Sequence, residues 1–187
     1  MNVFANWTPP ENPDPFQILH EARTDTSAGR VEIALAKHVW YHDNALKIQP
    51  SNYGVRLSFA LGYWCQLGQV YPPALDKLKN IRDECERVIR ASEGSHSTFA
   101  EFASINRMLN DQPRTKELFI WLDNEKPGLA KQVFSMARSS LIVAGDYELC
   151  GRYLDSNRTF GEIVNLFHAT TSKTRDPKRD LVRNTHA

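Results

Sequence analysis

The sequence contains no apolar run approaching the roughly 20 residues that a membrane-crossing helix needs. Its opening stretch, MNVFANWTPPENPDPF, lacks a basic segment followed by an apolar one and does not read as a secretory signal. Neither sign of charge dominates: 23 Lys and Arg stand against 22 Asp and Glu, a formal net charge of +1. That is too little to draw the chain to nucleic acid or to an anionic membrane. Cysteine is scarce, with Cys65, Cys85 and Cys150 far apart and no CxxC pair. An odd, sparse set of this kind is expected of free thiols in a reducing cytoplasm, each packed as a small hydrophobe. The nine glycines are scattered singly, so there is no phosphate-cradling loop. HExxH, GxSxG, DxD and SxxK patterns are missing too, so no familiar catalytic arrangement is legible. No hairpin dipeptide lies between alternating apolar runs, and strand signals are weak throughout.

What is present is helical spacing. Pro9, Pro10 and Pro13 mark residues 1–14 as an extended arm, with Trp7 expected to dock on its own domain. Asp14-Pro15 is a helix start, Asp as N-cap and Pro in the first turn, and Gly29 ends that helix. Ala34, Leu35, His38, Val39, His42, Ala45 and Leu46 recur at three and four, marking one face of a second helix. A third is expected over 52–67, with Ser51 as N-cap and Gly68 as its stop. Ala74, Leu78, Ile81, Cys85 and Ile89 share a face of the next, opposite a charged face that includes Arg82. SEGSHS (92–97) is a loop. Further helices are expected near 97–110, 114–124, 127–143, 146–154 and 159–170, before a polar, mobile tail at 171–187. Within FIWLDNE (119–125), core packing at a helix end is the reading. The chain is thus predicted to be all-α, with a single domain over 15–170 made of antiparallel helix pairs.

Three segments repeat a pattern: AGRVEIALAKHVWYHDNAL, LGQVYPPALDKLKNIRDE and AGDYELCGRYLD. Each sets a glycine, then a bulky residue, then a small residue early in the next helix (Ala34, Ala74, Cys150). Leu57, Leu61, Trp64, Gly68 and Ala74 in one unit, and Phe134, Ala137, Leu141, Gly145, Tyr147 and Cys150 in another, resemble the helix-packing positions of the tetratricopeptide repeat, a helix–turn–helix unit of about 34 residues. The likeness covers about 100 residues, 15–90 and 128–155, and residues 97–125 depart from it. It implies a short right-handed solenoid or compact bundle whose concave side holds a protein or peptide partner. The positions it assigns to that side are Val55, Ser58, Gly62 and Gln66, and Gln132, Ser135 and Ser139. They lack the Lys/Arg/Asn set with which some family members clamp a carboxylate.

His38 and His42 lie four apart in HVWYHD, on one helix face, as a two-histidine metal pair would. A metal site needs at least one more ligand, and Asp43 lies roughly 100° round the helix from His42. The competing reading places both imidazoles in the packing face, hydrogen-bonded to backbone or carboxylate. The sequence therefore leads to the expectation of a non-enzymatic, cytoplasmic, bacterial-type protein that needs no cofactor and binds a protein or peptide, acting as a homodimer or as a single-partner adaptor. The alternative is a small helical metal-binding protein or enzyme that uses His38 and His42.

Overall fold

The computed structural model describes residues 7–91 and 93–154. It is all-α: nine α-helices and one 3-10 turn occur among the described residues, and no strand. The chain divides into two compact units between Gly145 and Asp146. The expected 15–170 domain runs across that division, and the 159–170 helix and 171–187 tail lie outside the described residues.

In the first unit, α1 (Pro15–Ser27) begins as expected, the Asp14 carboxylate accepting the Phe16 N–H at 2.8 Å with Pro15 in the first turn. Gly29, at φ 74°, turns the chain into α2 (Val31–Ile48). There is no glycine or proline within α2, and its buried residues Ala34, Leu35, His38, Tyr41 and Ala45 keep the helical spacing.

The single helix expected over 52–67 is instead broken. A 3-10 turn at Pro50–Asn52 leads into α3 (Tyr53–Arg56), and α4 (Phe59–Val70) starts two residues later. Local hydrogen bonds hold the break. The Ser58 hydroxyl donates to the Gly54 carbonyl at 2.6 Å, competing with the helical ladder as serine does. The Leu57 carbonyl is taken by the Arg107 guanidinium at 3.3 Å. Gly68 does not stop α4. It lies inside the helix, where a Cβ would come 2.4 Å from Leu75 Cγ, so it is there for close packing. α5 (Pro72–Arg90) follows, and Trp64 donates its indole N–H to the Ala74 carbonyl at 2.9 Å, tying the two helices.

α6 (His96–Met108) opens on a capping box in which the Ser95 side chain meets the Thr98 N–H and the Thr98 hydroxyl meets the Ser95 N–H. Asn110, at φ 56°, turns the chain into α7 (Gln112–Glu125), and α8 (Pro127–Val143) ends at Gly145, φ 75°. Helices α4, α6 and α8 touch in succession as an inner row, with α2 against α1 and α4, α5 against α4 and α6, and α7 against α6 and α8. Residues 97–125, set apart from the repeat on sequence, thus supply the middle of that row. In the second unit, α9 (Tyr147–Tyr153) buries Leu149 and Cys150.

Some positions differ from expectation. Phe16 is 64% exposed despite its apolar ring, and Arg82, assigned to a charged outer face, is 6% exposed. Arg82 is buried because its guanidinium reaches Asp83 and Asp111, both at 2.9 Å, bridging α5 to the loop before α7. Cys85 and Cys150 are buried as expected, and Cys65 is half-buried with its thiol against the Met108 carbonyl. Phe119 and Leu122 are core. Trp7 packs edge-on against Trp40, with ring centroids 6.4 Å apart.

Candidate partner-binding grooves and the buried histidine cluster

The inner row leaves a groove of about 520 Å³ between α6 and α8, closed at one end by Tyr53 and Leu57. Small residues make it: Ala100, Ala103 and Ser104 from α6 face Ser135, Ser139 and Ser140 from α8. Their short side chains keep two helices close at the backbone while leaving space above. His96, Arg107 and Gln112 supply polar groups along it, and among the described residues no Asp or Glu lines it. Its volume is within the range of small-ligand and peptide side-chain sites.

The seven positions assigned to a concave face do not converge on this groove. Ser135 and Ser139 line it. Val55 instead lines a second groove, between α1 and α4, and Gln66 lines a cleft adjoining that one. Ser58 is at the α3–α4 break, bonded to Gly54, while Gly62 faces open space and Gln132 is exposed on α8. Division of the 52–67 segment accounts for the scatter, because α3 and α4 no longer share one continuous face. Ala103, Ser104 and Arg107 belong to the stretch excluded from the repeat. A signal for them is the small pair Ala103-Ser104 within ASINR.

The two histidines also part. His38 is 1% exposed and stacks on the Trp64 ring, with centroids 5.6 Å apart and planes 25° from parallel. Burial lowers its pKa to about 4, so it is neutral near pH 7, and its Nε2 has no hydrogen-bond partner among the described residues. His42 meets the same ring edge-on and is held by carboxylates. Its Nδ1 bonds Asp43 at 2.8 Å and its Nε2 bonds Glu101 of α6. Arg56, at the end of α3, donates to the His42 carbonyl at 2.8 Å and to the same Glu101 oxygen at 2.8 Å. Burial alone would lower the His42 pKa, but Asp43 and Glu101 more than reverse this and raise it above the usual imidazole value. Burial likewise works against the Glu101 carboxylate, which His42 and Arg56 nonetheless hold below the usual carboxylate range. The nearby Cys85 thiol is pushed up to about 12 by burial first and the Glu101 charge second, and is therefore unreactive.

A second carboxylate, Glu101, thus faces His42 but not His38, and the Arg56 guanidinium stands on the same oxygen. A cation is already in place where a metal would need the Glu101 lone pair. No group of three or more His, Cys, Asp or Glu is arranged to hold a metal ion among the described residues. No helix among them is long and apolar enough to cross a membrane. No protein-family model, no curated protein and no solved structure matches this chain.

Proposed function

We propose that this chain is a non-enzymatic, tetratricopeptide-like scaffold that binds a protein or peptide partner in the α6–α8 groove. The fold supports this reading through its inner row: α4, α6 and α8 begin at residues 59, 96 and 127, steps that bracket the repeat's period of about 34. One helix of each neighbouring pair faces inward and α5 and α7 cover the outside, as stacked helix pairs do. The observation that carries the proposal is the groove itself, about 520 Å³, open, floored by small residues and free of carboxylates. The cytoplasm is the compartment that fits its unpaired cysteines.

Selection of a phage-displayed peptide library on the purified chain, with an Ala103→Arg variant as counter-target, tests this. Ala103 lines the groove, so an arginine there fills it. Enriched peptides that bind the wild type and lose binding to the variant support the reading. Failure to enrich any sequence, or equal binding to both proteins, would sink it.

A further inference from the structure

We propose a second binding site, in the groove between α1 and α4, that takes an extended acidic peptide with a bulky apolar side chain two or three residues before a carboxylate. The site is graded along α1. At one end Phe16, Leu19, Val55 and Phe59 form an apolar recess of about 320 Å³. Phe16 and Phe59 stand on its rim, 64% and 65% exposed, an unusual placement for two large rings on adjacent helices. In the middle, the Arg23 guanidinium carbon stands over the Tyr63 ring, 4.1 Å from its centroid. That cation–π contact places a guanidinium, whose N–H groups suit a carboxylate, beside the recess. His20 adjoins it, and among the described residues no Asp or Glu lines either this recess or the cleft that continues it.

The far end decides between a peptide and a lipid carboxylate. Thr24, Ser27 and Gln66 line that cleft. The two hydroxyls spend their protons on their own helix: Thr24 donates to the His20 carbonyl and Ser27 to the Arg23 carbonyl, both at 3.2 Å. What they turn outward are acceptor oxygens, which need N–H donors. A peptide main chain supplies those and a fatty carboxylate does not. The spacing follows from helix rise. Four to seven residues separate Leu19 and Phe16 from Arg23, about 6–10 Å along α1, which two or three extended residues span. This site shares no residue with the α6–α8 groove.

Fluorescence anisotropy with the full chain tests the assignment. The probe is a labelled short peptide with one leucine followed, two residues on, by paired glutamates. Its control replaces the glutamates with lysines, and sodium octanoate serves as competitor. The acidic peptide is expected to saturate and the lysine peptide to bind about tenfold more weakly or worse. Arg23→Glu should invert that preference, Phe59→Ser should weaken the acidic peptide about tenfold, and Ala103→Arg in the other groove should change nothing. Arg23 and Phe59 are exposed, so both variants keep the fold, which far-ultraviolet circular dichroism verifies. The assignment is overturned by absence of saturation, by equal binding of the two peptides, by indifference to either variant, or by displacement of the peptide by octanoate. Loss of binding in Ala103→Arg would also overturn it, by placing the peptide in the other groove.

Discussion

His38 and His42 are one turn apart on α2 and touch the same indole, Trp64, yet their pKa values are pushed in opposite directions. One is stacked on the ring in a buried site that lowers its pKa; the other meets the ring edge-on, and Asp43 and Glu101 raise its pKa. Their contributions to stability run in opposite directions with pH.

For His38 the folded pKa, about 4, is below the ordinary imidazole value of 6.5. Between those values the unfolded chain binds more protons, so this group's contribution to stability falls as pH drops through the window. Urea midpoints at about pH 7 and about pH 5 should show the wild type losing about 2 kcal/mol more than a His38→Leu variant. Leucine keeps the bulk and removes the unpartnered nitrogen. If both proteins lose stability equally, His38 is not the buried neutral group described.

For His42 the sign is reversed. Its folded pKa is raised, so its contribution is complete below the ordinary imidazole value and is lost as pH rises through the raised one. Glu101→Gln leaves His42 and Arg56 facing each other without their shared carboxylate. We expect a cost of about 2–3 kcal/mol near pH 6 that shrinks at alkaline pH as the imidazole discharges. NMR of the ring protons should show His42 titrating above the ordinary value in the wild type and lower in the variant. A variant as stable as the wild type near pH 6 contradicts this.

Gly68→Ala sets helix propensity against packing. Alanine favours a helix interior by about 1 kcal/mol, but its Cβ would sit 2.4 Å from Leu75 Cγ. We expect a net loss of about 1–2 kcal/mol in urea melts. In a Leu75→Ala background the same change should become stabilising. A stabilising effect in both backgrounds would mean that Gly68 has no packing role.

Asn110 holds a left-handed conformation at φ 56°. Asn110→Gly should be neutral or slightly stabilising, and Asn110→Val should cost about 1–2 kcal/mol, read as a drop of several degrees in Tm. Equal melting of the two variants refutes a conformational requirement at this turn.

Much of the architecture was legible because it rests on local chemistry. Asp14-Pro15 and the left-handed Gly29 and Gly145 are set by their own backbone. Gly68 misled because a glycine that ends a helix and one that admits a neighbouring side chain look alike in sequence; Leu75 decides, and it belongs to the next helix. Asn110 escaped notice because asparagine adopts the same turn less often than glycine. The helix break at Leu57–Ser58 could not be seen for a similar reason, since the group that takes the Leu57 carbonyl is Arg107, fifty residues on. Of the candidate groove only Ser135 and Ser139 were found, because its other wall, α6, departs from the repeat pattern. Hydrogen bonding to backbone or carboxylate is expected of both imidazoles alike, and the carboxylate that singles out His42, Glu101, arrives from a distant helix.

That distance has a consequence for the growing chain. Glu101 is 59 residues from His42 and 45 from Arg56. Throughout the synthesis of α3, α4 and α5 the Glu101 carboxylate does not yet exist, and Arg56 has the His42 carbonyl and ring nitrogen to meet. The entry of α2 and α3 into their final arrangement therefore waits on α6, and with it on closure of a long loop, the slow kind of step in folding. A nascent protein arrested before residue 101 would hold Arg56 against His42 with Asp43 as the one carboxylate on that histidine.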